Sequence, residues 1–177
     1  MQKKTIVLLC GKSGSGKTTV ANYLEEKYGW KSVVSYTDRA MRSPDEKGHI
    51  FVTPERFDMI PRKEMVAYTE FSGHRYCATR AQVESSDIYV IDPRGILEFK
   101  ERYKGSKTPV IIYLSASDKL LSFRMQARGD SEDEVLKRIA HDRKAFRGAA
   151  KMADRRISVS GKTPEDIAKA IIAFIKA

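Results

Sequence analysis

Eight consecutive residues, Gly11-Lys12-Ser13-Gly14-Ser15-Gly16-Lys17-Thr18, have the types and spacing to hold a polyphosphate. They fit the P-loop pattern G-x-x-x-x-G-K-[ST] at every fixed position. The glycines let the backbone curl with its N–H groups converging on anionic oxygens. A helix starting where the loop ends adds its partial positive charge. In that geometry Lys17 is expected at the β- and γ-phosphates of a nucleoside triphosphate, and the Thr18 hydroxyl on Mg²⁺. The expected donor contacts are Gly11, Ser13, Gly14, Ser15, Gly16, Lys17, Thr18 and Thr19. An ordinary Gly/Ser turn can match such a pattern by chance, so the flanks matter. Residues 5–10 form an apolar run of strand length, and residues 19–24 read as helix with Val20, Tyr23 and Leu24 on one face.

A polyphosphate loop does not name an acceptor. Phosphoryl transfer is mostly positioning and charge neutralisation, so the remaining cations are the next place to look. Ser35, Arg39 and Arg42 combine a hydroxyl with two arginines three apart, suited to forking a second phosphate; the alternative is a solvated basic loop. Arg124, Arg128, Arg138 and Arg143 flank Gly129-Asp130, a polar hinge between two arginine-bearing helices. That arrangement describes a lid whose closure expels water and brings arginines to the transferring group. Arg124, Arg128 and Arg138 are the expected catalytic members, although a surface helix with i,i+4 pairs such as Glu134 with Arg138 accounts for some of these charges. Asp92 ends an apolar strand ahead of Pro93-Arg94-Gly95. A carboxylate there can bind Mg²⁺ through water, hydrogen-bond an acceptor, or cap the next helix.

The elements that must position these groups follow from the pattern. After Gly29, a helix C-cap, residues 31–36 read as a second core strand. Residues 43–48 are turn-rich, and residues 51–52 are extended. Thr53-Pro54 opens a short helix that Pro61 stops. Residues 65–71 and 74–78 read as a hairpin turning at Ser72-Gly73, and residues 82–86 close this irregular stretch. Strands at 88–92, 109–114 and 155–160 alternate with helices through Tyr103, from Ser117 or Asp118 to about 127, over 132–146, and after Thr163-Pro164. The apolar face of that closing helix includes Ile167, Ala170, Ile171, Phe174 and Ile175. Strand–helix alternation argues a parallel sheet with helices on both faces, which puts ligands at the carboxyl ends of the strands.

Composition narrows the partners. A chain of 177 residues with 41% hydrophobic content suits one domain with a real core. No apolar run approaches the roughly 20 residues of a membrane span, and none resembles a signal peptide; a cytoplasmic protein is expected. Cys10 and Cys77 suggest neither a disulfide framework nor a metal site, and each is expected in a core strand. A net charge of +10 fits nucleic-acid binding or the handling of two polyphosphate substrates at once. The basic residues are spread along the chain with no nucleic-acid module, so nucleotides are the expected partners, with a monomer or homodimer as the assembly.

Taken together, these residues resemble the guanylate kinase family of nucleoside monophosphate kinases. The carriers are the P-loop, then Ser35-Tyr36-Thr37-Asp38-Arg39, Arg42, Phe51-Val52-Thr53, the run Glu70-Phe71-Ser72-Gly73-His74-Arg75-Tyr76, Ile91-Asp92 with Gly95, and the arginine lid. The resemblance implies an α/β fold: a P-loop NTPase parallel sheet flanked by helices, with a small inserted mixed α/β lobe for the nucleoside monophosphate and a helical lid. The implied boundaries are a core of 1–34 and 87–177, an insert of 35–80 and a lid of about 124–147. It implies transfer from Mg²⁺-bound ATP to GMP. Ser35, Arg39, Arg42, His49 and Tyr76 would hold the acceptor, with Asp92 beside it. Lys17, Arg124, Arg128 and Arg138 would neutralise the transferring group.

Three positions depart from the family pattern. His49 stands for a tyrosine, Ala67 for the glutamate that reads the guanine edge, and Ala78 for a hydroxyl. Thr69, Glu70 and Thr79 are the nearby polar alternatives. The lost base contacts leave open a sister kinase on the same scaffold, acting on a sugar phosphate or another nucleoside monophosphate. A catalytically silent binding module is the third reading, and the intact Gly16-Lys17-Thr18 argues against it.

Overall fold

The computed structural model describes residues 4–41, 44, 46, 48–71 and 73–177. Strand β1 (Thr5–Gly11) lies inside a four-stranded parallel sheet, between β6 (Ile88–Val90) and β7 (Thr108–Ser115), with β8 (Arg155–Ser158) beyond β7. Both faces of this sheet are covered, which is why its strands read as unbroken apolar runs. Val7 and Leu9 of β1 point to one face, where α1 (Lys17–Tyr28) and α7 (Pro164–Lys176) pack through Val20, Leu24, Ile167 and Ile171. Ile6, Leu8 and Cys10 point to the other, against Ile96 and Phe99 of α4 (Pro93–Arg102).

A second sheet has the order β3-β2-β5-β4, from β2 (Ser35–Thr37), β3 (His49–Phe51), β4 (Met65–Phe71) and β5 (His74–Thr79). β2 and β3 run parallel, whereas β5 is antiparallel to both β2 and β4. The helix α2 (Pro54–Asp58) starts at a Thr53 cap, and α3 (Arg80–Glu84) at a Thr79–Gln82 capping box. This sheet has its own small core around Phe57, Met65 and Cys77. Val66, Ala67 and Ala78 join it to the α4 side of the main core. Two helices, α5 (Asp118–Ala127) and α6 (Glu132–Ala145), form a hairpin through Leu121, Met125, Val135 and Ile139. Cys10 and Cys77 are free and buried, and burial pushes both thiols up to about 12. No helix among the described residues is long and apolar enough to cross a membrane.

One element differs from the sequence expectation. Residues 31–36 are not a second core strand. Ser32 makes a single bridge to Ile88, and the Val33 N–H donates to the Ile88 carbonyl at 2.8 Å. The pairing stops there: the Val34 carbonyl accepts from the Gln82 side chain at 2.6 Å, and Ser35–Thr37 passes into the second sheet. Arg42, with Ser43, Asp45 and Lys47 of the expected loop and Ser72 of the expected turn, lies outside the described residues.

Candidate active site

The P-loop leaves the carboxyl end of β1 and runs into α1. Gly16 caps that helix at φ 88° with no side-chain hydrogen bond, so the first helical N–H groups stay available to an anion. Lys17 donates to the Gly11 carbonyl at 2.6 Å and the Lys12 carbonyl at 3.1 Å. Burial pushes the Lys17 ammonium below its ordinary value, while the Cys10 thiol and the Asp142 carboxylate oppose that shift. The buried Ser15 hydroxyl has no hydrogen-bond partner among the described residues. Thr18 and Thr19 are exposed on the first turn of α1 and line a cavity of about 520 Å³ together with Ser13, Lys17 and the glycines at 14 and 16.

Arg124, Arg128 and Arg138 close the other side of this donor cavity. Arg124 lies over the loop: a Cβ on Gly16 would be 3.7 Å from its Nη1. Arg128 and Arg138 converge on Asp130, at 2.6 Å and 3.5 Å, and the Arg128 hydrogen bond holds the Asp130 carboxyl below its usual range. The expected Glu134–Arg138 pair is replaced: Glu134 accepts from Ser131 in the capping box that starts α6. Arg143 points elsewhere, donating to Asp118, which also accepts from Lys12. Lys162, Pro164 and Ile167 complete the donor cavity. Sequence reasoning passed over them, although their place after the last strand puts them at the crevice.

Gly14 packs the loop against α5. Its φ is +76°, and a Cβ there would sit 2.9 Å from the Leu121 carbonyl oxygen of α5. Gly14→Ala therefore combines left-handed strain with a backbone clash, and is expected to cost about 2 kcal/mol. Urea denaturation and ATP titration test this; a variant as stable as its parent and with unchanged ATP affinity would contradict it.

Across the crevice, Ser35, His49, Tyr76 and Asp92 line one cavity of about 200 Å³. Parallel register sets Ser35 opposite His49, and the Ser35 Oγ lies 2.9 Å from His49 Nδ1. The His49 ring meets Tyr76 edge-on at 5.3 Å. Asp92 caps α4 by accepting the Gly95 N–H at 2.7 Å while remaining exposed to the cavity. Arg39 does not line this cavity. Its guanidinium donates to Glu46 at 2.6 Å and to the Ala40 carbonyl at 2.8 Å, and its buried Nε has no hydrogen-bond partner among the described residues. Ala67 and Ala78 are paired across β4 and β5 and buried at 2% and 0% exposure. Of the polar alternatives, Thr79 is spent capping α3, Glu70 accepts from the Tyr68 hydroxyl, and Thr69 faces the cavity.

A third cavity, of about 670 Å³, lies between the first two. Ser13 and Arg138 line both it and the P-loop cavity; Thr69 and Asp92 line both it and the cavity on the mixed sheet. Its wall also holds Asp142, which sequence reasoning missed. Asp142 is 4% exposed, and its Oδ2 accepts the Ser13 N–H at 2.6 Å. The signal was present: Asp142 continues the buried stripe of Val135 and Ile139 on α6, a carboxylate where the helical period calls for an apolar residue.

A P-loop on a parallel sheet, a cation-rich donor cavity and a second cavity on a mixed sheet define a P-loop nucleotide kinase. An AAA domain model matches residues 7–145. Guanylate kinase of Salinibacter ruber is 32% identical over 147 residues, covering 77% of each chain. Guanylate kinase of Fusobacterium nucleatum is 25% identical over 145 residues, again covering 77% of each. The crystal structure of guanylate kinase from Anaplasma phagocytophilum superposes with a TM-score of 0.65 at 26% identity, covering 99% of this chain and 87% of that one. The chain belongs to the guanylate kinase family and is a guanylate-kinase-like nucleotide kinase.

Proposed function

We propose that the protein transfers the γ-phosphoryl group of ATP to GMP, giving ADP and GDP. The observation that carries this is the row of three adjoining cavities, donor to transfer zone to acceptor, joined by Ser13 and Arg138 on one side and Thr69 and Asp92 on the other. In this reading the core (1–34 and 87–177) holds ATP, the insert (35–80) holds GMP, and the lid (about 124–147) closes over both. Lys17, Arg124, Arg128 and Arg138 neutralise the triphosphate, while Ser35, His49 and Tyr76 receive the GMP phosphate. Arg39 joins them on leaving Glu46.

The residues fit Mg²⁺ carried in on the nucleotide. Among the described residues no group of three or more His, Cys, Asp or Glu could hold an ion alone, so phosphate oxygens must supply most of the ligands. The exposed Thr18 hydroxyl lines the donor cavity and would be a ligand from the chain, with Asp92 reaching the ion through water. Bound there, Mg²⁺ would neutralise charge on the β- and γ-oxygens.

The apolar Ala67 wall favours one second reading, a sister kinase with another phosphorylated acceptor. A site that hydrogen-bonds a base edge rejects the wrong base strongly, whereas one selecting by shape discriminates only about 10–200-fold. ADP release with ATP, Mg²⁺ and GMP, dGMP, AMP, UMP or a sugar phosphate separates the two. The expected result is turnover of GMP with selectivity over AMP below about 200-fold. Ala67→Glu should sharpen that preference about tenfold by restoring one charge-assisted hydrogen bond. Turnover of a sugar phosphate and no nucleotide would establish the sister enzyme. Silence with every acceptor would leave the binding module, and selectivity above about 10⁴ would assign base reading to other groups.

A further inference from the structure

We infer that Asp142 is a positioning residue that ties the lid helix to the P-loop and thereby aims Arg138 at the γ-phosphate. The inference rests on the donor half of the proposed reaction and is independent of which acceptor is used. Ser13 and Arg138 are the two residues lining both the donor cavity and the transfer zone, and Asp142 is what connects them. It stands one helical turn after Arg138, so the two share a face of α6. Its Oδ2 accepts the Ser13 N–H at 2.6 Å, and its Oδ1 lies 3.2 Å from His141 Nδ1.

The charge of Asp142 acts in two opposed ways: it sits beside the site of a polyphosphate, where like charges repel, and it helps hold the Lys17 ammonium charged against burial. What the tether uses is an oxygen that accepts one N–H of the loop, on a side chain only 4% exposed. A second tie runs in parallel, Lys12 to Asp118 at 2.9 Å and Arg143 to Asp118 at 3.0 Å, but Asp118 belongs to α5. Only the Asp142 contact joins α6 directly to the P-loop among the hydrogen bonds of the described residues. Without it, Arg138 keeps its 3.5 Å contact to Asp130 and loses its fixed height above the loop.

The test is a double-mutant cycle read in binding, with ATP and ADP as probes in the presence of Mg²⁺. The Arg138 guanidinium on the γ-phosphate contributes about tenfold to the unmodified protein's preference for ATP over ADP, one charge-assisted contact added to those of Lys17 and Mg²⁺. Arg138→Ala should remove that contribution. Asp142→Ala should remove it equally, and the double variant should show no further loss, because both act through one guanidinium. Asp142→Asn keeps an accepting oxygen and should restore the preference to within about twofold of the parent. Asp142→Leu suits the apolar stripe and lacks the oxygen, so it should behave like Asp142→Ala while remaining folded. A merely structural role would weaken ATP and ADP alike. Equal affinity of the unmodified protein for both nucleotides, an intact preference in Asp142→Leu, or additive losses in the double variant would each overturn the inference. GMP turnover, measured separately, reports on the acceptor, so a failed acceptor assignment and a failed tether give different results.

Discussion

Lys17→Ala is expected to lower kcat by about 10²–10³-fold with little loss of stability. The ammonium is satisfied by the Gly11 and Lys12 carbonyls, both on the loop itself. Lys17 lines the donor cavity, so truncating it lets water into the space beside those carbonyls, and alanine is at least as good a helix former at the start of α1. The expected loss falls on the reaction. Burial already disfavours the Lys17 charge, and a triphosphate supplies the counter-charge that makes it favourable again. That gain grows as charge moves from the γ-phosphoryl group onto the leaving β-oxygens. ADP release at saturating ATP and GMP measures the rate, and a thermal melt checks the fold. Near-normal turnover in a folded variant would remove Lys17 from the mechanism.

How far this site was legible in the sequence depended on whether a signal was local. The P-loop was fully local: eight residues specify a strand exit, a turn and a helix start, and the structure has β1, the loop and α1 there. The caps read from the sequence were local too, with Thr53, Asp92, Ser117 and Thr163 each accepting an N–H at the start of a helix. The sheet to which residues 31–36 belong was not local. Their apolar run is compatible with a strand in either sheet, and the choice is made by β3 and β5, strands remote in sequence that pair with Ser35–Thr37. Arg39 shows the same limit. Its type suits a phosphate fork, but the fold pairs it with Glu46 and sets it off the cavity wall. Asp142 lay between these cases. Its spacing from Val135 and Ile139 marks a carboxylate on a buried stripe, yet only the fold reveals that the partner is Ser13, 129 residues earlier.

The arginines of α5 and α6 should separate in kinetics according to the cavity each one faces. Arg138 lines both the donor cavity and the transfer zone, whereas Arg124 lines the donor cavity alone and lies over Gly16. An interaction made equally in ground and transition states changes KM, and one realised only as charge shifts changes kcat. Arg138→Ala is therefore expected to lower kcat by about 10²–10³-fold, because its contact strengthens as charge shifts, and to raise KM for ATP by about tenfold, the ground-state contact that also sets its share of the ATP-over-ADP preference. Arg138→Lys should recover only part of this, because a point charge cannot reproduce the planar fork that fits two phosphoryl oxygens. Arg124→Ala should also raise KM for ATP by about tenfold but leave most of kcat, the loss of one charge-assisted contact in the bound state. Both side chains can be removed without breaking a buried pair. Arg138 is 39% exposed in its 3.5 Å contact with Asp130, and Arg128 remains on that carboxylate at 2.6 Å. Single-turnover rates with enzyme in excess over ATP distinguish the two, since they report the chemical step free of product release. If Arg124→Ala carries the larger kcat loss and Arg138→Ala leaves most of kcat, the transferring group sits over the loop glycines and not between Ser13 and Asp92, and the order of the three cavities along the reaction would have to be redrawn.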